Sequence, residues 1–189
     1  MNVRRPWQYP LLLAAAIAAN STTAAAQSET PEEVALRYVT AMQTSNWMEV
    51  SELMHPDALH ELRELFTLLF EVPEASELVG QLLGVSSVTE AQAMSDTALF
   101  AGFIEFVVTQ DANVADALRT ARIEVLGHVP EGTTDAHVVF RTEMTVRGVD
   151  MTQMDVISVR RSGDTWRSLL KGDMSAIAAA IRQSLQTKP

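Results

Sequence analysis

The sequence predicts an α+β domain, in which N-terminal helices pack on a curved, cone-like antiparallel meander of four strands and a C-terminal helix follows the sheet. Two observations lead to this prediction. Apolar residues recur with a helical period in the first part of the chain and alternate with polar residues after Ala121. Tight-turn signals at Gly148 and Gly163 then divide the alternating part into strands.

The N-terminal residues 1–26 have the pattern of a secretory signal peptide. Arg4 and Arg5 form a basic start, residues 11–19 are an apolar run too short to span a bilayer, and residues 24–26 are small, as a cleavage site requires. The rest, residues 27–189, is predicted to form a single domain. We therefore expect an exported protein, periplasmic or secreted, without stable membrane insertion after signal removal; the alternative is an uncleaved anchor.

The chain is acidic and lacks cysteine. It holds 14 Lys and Arg against 24 Asp and Glu residues, for a net charge of −10. The predicted signal contains Arg4, Arg5 and no acid, so its removal makes the charge more negative still. Nucleic acid and anionic lipid surfaces need a basic face, which argues against both as partners. Without disulfides, the core alone must hold the exported domain together.

The first three helices are predicted from their start and stop signals. Thr30 and Glu33 match a capping box, and the helix that they start is expected to end near Thr44. A second helix follows and ends before Pro56, because the residue preceding a proline is driven out of the helical conformation. A third helix is expected over residues 58–71, with a broad apolar face.

Between these helices and the sheet, the sequence predicts shorter helices and a loop. Residues 74–83 are expected to form a short helix, and residues 86–89 a loop. Ser95 is a cap for a strongly apolar helix, and residues 113–118 add a short helical turn. The sequence leaves open whether residues 71–118 fill the space beside the sheet or leave a pocket there.

The strands are predicted from a period of two. In the first strand, Ile123, Val125 and Val129 share one face, and His128 lies on the other. We take residues 148–149 and residues 162–163 as two-residue turns. These turns pair Met144 with Gln153, Thr142 with Asp155, Phe140 with Ile157, Val159 with Trp166, Ile157 with Ser168, and Asp155 with Leu170.

Both turns give the same apolar face, and this agreement supports the register. The face contains Val138, Phe140, Met144, Val146, Met151, Ile157, Val159, Trp166 and Leu170. The opposite face carries charged and polar residues. The chain then returns to helix over residues 174–185, whose apolar stripe either folds back on the domain or binds a partner.

Polar residues interrupt the apolar face around Asp155. Burial there would raise the pKa of the carboxyl, and such a group can act as a general acid or base. The competing interpretation is a structural acid that accepts a hydrogen bond from Thr142, Gln153 or Tyr38, or that lies at the open end of the sheet. A three-residue first turn would instead move Asp155 to the outer face. The predicted ligand pocket contains Tyr38, Phe140, Thr142, Met144, Gln153, Asp155, Trp166 and Ser168.

Three segments carry a resemblance to a known superfamily. They are AMQTSNW at residues 41–47, MHPDA at residues 54–58 and RRSGDTWR at residues 160–167. The chain resembles the nuclear-transport-factor-2-like, or SnoaL-like, superfamily, which implies a curved sheet around a conical cavity. Members include isomerases, dehydratases, epoxide hydrolases and non-enzymatic binding modules, so the resemblance does not decide the function. No catalytic motif of the family matches residue by residue.

The histidines and serines give no metal or cofactor motif. His55 and His60 are five residues apart and do not share a helix face, and His128 and His137 flank a turn without a third ligand. The sequence has no Gly-rich phosphate loop and no nucleophile-elbow serine. We predict no metal and no cofactor.

The sequence favours an exported, non-catalytic binding or interaction module with an apolar pocket. Its partner is expected to be a small apolar ligand or an envelope protein, and a homodimer is left open. The alternative is a small-molecule isomerase, dehydratase or hydrolase that uses Asp155 as its acid or base.

Overall fold

The structure, a computed structural model, describes residues 29–170. The predicted signal peptide and the predicted helix over residues 174–185 lie outside the described residues. Within them, seven α-helices precede a four-stranded antiparallel sheet with the strand order β1-β2-β3-β4. The predicted α+β class and the meander are confirmed.

The helices and strands have the following bounds. The helices are α1 (Pro31–Gln43), α2 (Trp47–Glu52), α3 (Pro56–Phe70), α4 (Ser76–Leu83, after a short 3-10 turn at Pro73–Ala75), α5 (Val88–Ala93), α6 (Asp96–Thr109) and α7 (Ala112–Thr120). The strands are β1 (Arg122–Glu131), β2 (Asp135–Val146), β3 (Val149–Ser162) and β4 (Thr165–Ser168). None of the helices between residues 29 and 170 is both long and apolar enough to cross a membrane.

The capping residues fix most helix starts. The Thr30 N–H donates to the Glu33 carboxylate at 2.7 Å, and the Thr30 hydroxyl accepts from the Glu33 N–H, which completes the predicted capping box. The His55 ring accepts from the N–H of Asp57, so α3 starts at Pro56, two residues earlier than expected. Ser95 caps α6 as predicted.

The predicted loop over residues 86–89 is wrong, because α5 begins within it. The Ser87 hydroxyl accepts from the N–H of Glu90 and caps the new helix. The Glu90 carboxylate in turn accepts from the N–H and the hydroxyl of Ser86. The serines that resembled a loop therefore form the start of a helix.

A β-bulge in β1 corrects the predicted faces of that strand. Val125 pairs with Phe140, but Gly127 pairs with Val139, so one extra residue lies between them. Gly127 has a φ of 137°, which a glycine adopts without strain. Beyond the bulge the faces are exchanged: His128 turns toward the helices, and Val129, predicted on the apolar face, is exposed.

The first hairpin turns one residue earlier than predicted. Arg147 and Gly148 form the turn, both with positive φ, and Val146 pairs with Val149. The pairing therefore shifts by two residues, which leaves every side chain on its predicted face. The corrected pairs are Met144 with Met151, Thr142 with Gln153, Phe140 with Asp155 and Val138 with Ile157.

The second hairpin turns one residue later than predicted, at Gly163 and Asp164. The corrected pairs are Val159 with Ser168, Arg161 with Trp166 and Ser162 with Thr165. Strand β4 is also shorter than expected and ends at Ser168, which pairs with Val159 on one side and contacts the helices on the other. The Ser168 N–H donates to the Leu53 carbonyl at 2.8 Å, and the His55 N–H donates to the Ser168 carbonyl at 2.7 Å.

Two clusters of buried apolar side chains hold the elements together. The helix cluster lies among α2, α3, α4 and α6 and is centred on Val50, Phe66, Val79 and Leu99. The sheet cluster joins α1 to the inner face of the sheet and contains Val34, Ala35, Val39, Leu53, Ala136, Val138, Phe140, Ile157 and Val159. Burial of these apolar surfaces stabilises the fold without disulfides.

Candidate functional site

A cavity of about 520 Å³ lies between the inner face of the sheet and helices α1, α6 and α7. We call it the sheet–helix cavity. Of its 20 described lining residues, 16 are apolar, and the other four are Tyr38, Thr142, Gln153 and Asp155. Small-molecule sites in proteins are concave, mostly apolar and of this volume, with a few polar groups that orient the ligand.

Helices α6 and α7 form the wall that faces the sheet. Phe100, Phe103, Ile104, Val107 and Val108 come from α6, and Val114 and Leu118 come from α7. In the described part of the chain, residues 71–118 therefore do not fill this space. The segment forms one side of the cavity and leaves room between itself and the sheet.

Polar contacts fix α7 at both of its ends. The Gln43 amide, at the end of α1, donates to the carbonyls of Leu118 at 3.3 Å and Ala121 at 2.6 Å. At the other end, the Arg147 guanidinium lies 3.2 Å from the carboxylate of Asp111, the N-cap of α7. Because these contacts reach α1 and the β2–β3 turn, they set the width of the cavity.

Three neutral polar groups face the sheet–helix cavity. Thr142 is buried, and it pairs directly with Gln153 on the neighbouring strand, so their side chains lie next to each other. The Tyr38 phenol comes from α1 on the opposite side. Among the described residues, none of these three side chains has a hydrogen-bond partner. No buried side-chain polar atom in residues 29–170 is left unsatisfied, so the three groups reach solvent or the cavity space.

The Tyr38 phenol is a titratable group of the cavity. Burial raises the pKa of its phenol to about 12, because the charged form would lose its hydration. The group therefore stays protonated at neutral pH and can donate a hydrogen bond into the cavity.

Asp155 lies on the cavity side of the sheet but is only half-buried. Its partner on β2 is Phe140, whereas Thr142 was predicted. The carboxylate accepts a hydrogen bond from the N–H of Val156 at 2.9 Å. The carboxyl therefore lies among the mostly apolar residues of the cavity without being fully buried, because β3 is exposed on this part of the sheet.

The structure brings together six of the eight predicted pocket residues: Tyr38, Phe140, Thr142, Met144, Gln153 and Asp155. Trp166 and Ser168 are not among the lining residues. The shifted second turn places Trp166 opposite Arg161, whose guanidinium lies 4.9 Å from the centre of the indole ring. Ser168 is buried at the junction of α2 and α3, where its backbone holds β4 in place.

Sequence reasoning missed the wall that α6 and α7 contribute. The sequence of α6 indicates this wall, because its apolar residues are too many to lie on a single buried face of the helix. Phe100 belongs to the helix cluster, whereas Val107, further along the same helix, is 43% exposed. An apolar side chain that is both exposed and next to a concave surface marks the rim of a pocket.

The four histidines occupy separate places. His55 caps α3 and His60 lies near Glu64 on the exposed face of the same helix. His128 contacts Glu32 on the helix side of the sheet, and His137 contacts Ser158 and Glu131 on the outer side. Within residues 29–170, no three His, Asp or Glu side chains are grouped as metal ligands.

No protein-family model matches the sequence, and neither a curated protein nor a solved structure is significantly similar to the chain. The resemblance to the nuclear-transport-factor-2-like superfamily therefore stays a prediction.

Proposed function

We propose that the chain is an exported, non-catalytic binding module of the nuclear-transport-factor-2-like type, and that it takes a small, mostly apolar molecule into the sheet–helix cavity. The observation that supports this proposal is the cavity itself, whose volume is about 520 Å³ and whose described lining is apolar at 16 of 20 positions. Its volume is within the range of small-molecule sites.

The contrast with the adjoining core supports a binding role. Protein interiors are close-packed and contain few voids larger than a water molecule. The helix cluster follows this rule, with Phe66, Val79 and Leu99 almost completely buried. Beside it, Val107 and Val114 line the cavity and remain 43% and 50% exposed. A ligand that covered them would gain the free energy of removing apolar surface from water.

A neutral fluorescent probe tests this proposal. N-phenyl-1-naphthylamine brightens in apolar surroundings, and we expect the mature protein to bind it. Val107→Trp places a large ring at the cavity wall and should weaken binding by at least about tenfold. Leu36→Trp is the matched control, since Leu36 is 47% exposed on α1 and does not line the cavity. Equal binding by both variants would show that the probe binds elsewhere.

Native mass spectrometry of the protein from its host envelope tests the class of partner. A co-purifying small molecule supports the cavity as the functional site. A protein partner bound to a chain without a small molecule would contradict the proposal and favour an interaction module. The same spectrum reports whether the chain forms the homodimer that its sequence leaves open.

The alternative is an isomerase, dehydratase or hydrolase. The observation that favours it is that two titratable side chains, Asp155 and Tyr38, line one cavity. In that case Asp155 is the acid or base, and Asp155→Asn should abolish turnover while the ligand still binds. An unchanged rate in this variant, once a reaction is known, would exclude the role.

A further inference from the structure

The polar groups of the sheet–helix cavity are distributed unevenly. Thr142 and Gln153 are paired neighbours on β2 and β3, and Asp155 follows on β3. The described lining residues from α6 and α7 are all apolar. A bound molecule therefore meets hydrogen-bonding groups on the sheet side and apolar side chains on the side of α6 and α7. This arrangement fits a molecule with one polar end and an apolar body.

The charges around the cavity disfavour an anionic ligand. No Lys, Arg or His is among the described lining residues, whereas Asp155 is an acid. The whole chain has a net charge of −10. A carboxylate, sulfate or phosphate group would lose its hydration in the cavity and find no described cation to replace it, which is costly.

The charges do not strongly favour a cationic ligand either. Asp155 already accepts a hydrogen bond from Val156, and its side chain is half-buried, so water screens its charge. A single ion pair in such a partly exposed position contributes little to binding. Thr142, Gln153 and Tyr38 are uncharged, and together they offer both donors and acceptors.

We infer that the occupant of the cavity is an uncharged amphiphile, with a hydroxyl, carbonyl or amide head held by Thr142 and Gln153 and an apolar body against α6. This inference rests on the proposed binding function and adds the chemical class of the ligand. The Tyr38 hydroxyl, on the opposite side of the cavity, gives a second donor to a molecule that carries another polar group.

Three compounds with the same hydrocarbon chain and different heads test the class. Dodecanol, dodecanoate and dodecylamine are each tested for competition with bound N-phenyl-1-naphthylamine on the mature chain at neutral pH. Concentrations stay below the solubility limit of dodecanol and below the micelle-forming concentrations of the two charged compounds. We expect dodecanol to compete at least about tenfold better than dodecanoate, and better than dodecylamine. Tighter binding of either charged compound would overturn the inference while leaving the cavity as a binding site.

Two variants and a control locate the head group. Thr142→Val and Gln153→Leu should each weaken dodecanol competition by about tenfold, the usual effect of losing one good hydrogen bond in an apolar site. Thr152→Val is the control, because Thr152 is exposed on the outer face of β3. Unchanged competition in both cavity variants would overturn the assignment of the head group. Failure of the unmodified chain to bind the fluorescent probe would instead contradict the proposed function.

Discussion

The two ends of the β2–β3 hairpin differ in how they are covered, although both ends have the same alternating pattern. At one end, which we call the closed end, Ala136, Val138, Ile157 and Val159 are between 0% and 4% exposed. At the other, open end, Met151 is 45% exposed and Gln153 is exposed beside the cavity. The strands are continuous, so the difference arises from the helices above them.

Helix α1 covers the closed end with short side chains. Val34 and Ala35 allow close approach to the sheet, and both are almost fully buried against it. Toward its other end α1 presents Tyr38 and Met42, and it stops at Gln43. Beyond that point the sheet faces α6 and α7 across the cavity. The comparison shows that the covering helix determines whether one strand face becomes core or a cavity wall.

The largest effect that separates the two ends is expected from a matched pair of leucine truncations. Leu53 is 2% exposed in the sheet cluster, so Leu53→Ala should lower the free energy of unfolding by about 2–5 kcal/mol. Leu118 lines the cavity and is only half-buried, so Leu118→Ala should cost less than about 1.5 kcal/mol. Urea unfolding followed by circular dichroism measures both losses, and equal losses would contradict the distinction between the ends.

An intermediate effect is expected where α7 is attached to α1. Gln43→Leu removes two hydrogen bonds to the carbonyls of Leu118 and Ala121, which should cost about 1–2 kcal/mol locally. The amides of α7 should then exchange with deuterium roughly tenfold faster than in the unmodified protein. Gln92→Leu, at an exposed position of α5, is the control. Unchanged exchange in α7 would mean that Gln43 does not hold the cavity wall.

The smallest effect is expected at the side-chain hydrogen bond that joins α1 to β1 near the closed end. His128 lies 2.6 Å from Glu32, and this hydrogen bond lowers the pKa of the carboxyl from 4.5. Because the folded pKa is the lower one, the stabilisation is present above pH 4.5 and is lost as the pH falls through the folded value. The pair is partly exposed, so the contribution is below about 1 kcal/mol.

Melting temperatures measured from pH about 6 down to about 3 test this pair. In Glu32→Gln, the melting temperature should fall less between pH about 6 and about 3 than in the unmodified protein. His128→Gln should have a similar effect, and the double variant should add little to either one. Additive losses in the double variant would show that the two residues act independently.

The faces of β2, β3 and β4 were predictable, whereas their pairing was not. The alternation of side chains has a period of two, so a shift of the pairing by two residues leaves every face unchanged. The first turn was placed one residue late because Arg147 has a φ of 51°, a conformation that non-glycine residues seldom adopt. Asp155 thus lies on the predicted face but opposite Phe140.

The cavity was only partly predictable for a different reason. Strand periodicity identified Phe140, Thr142, Met144, Gln153 and Asp155 as neighbours on one face. It carries no information about the distance between that face and α6 or α7. That distance depends on long-range contacts, such as the hydrogen bonds from Gln43 to the end of α7. A sequence pattern therefore gave one wall of the cavity and left its depth undetermined.

The bulge in β1 determines which residue of that strand contacts α1. Because one additional residue precedes Gly127, His128 points toward Glu32, and Val129 points away from the helices. Deletion of Leu126 would reverse the phase of the strand beyond that point, turning His128 away from Glu32 and turning Val129 inward. A relative of this chain with one residue fewer between Val125 and Val129 would lack the contact to Glu32 and would hold α1 on the sheet through the sheet cluster. Between Val125 and Val129, the number of residues in the strand decides which side chain faces α1.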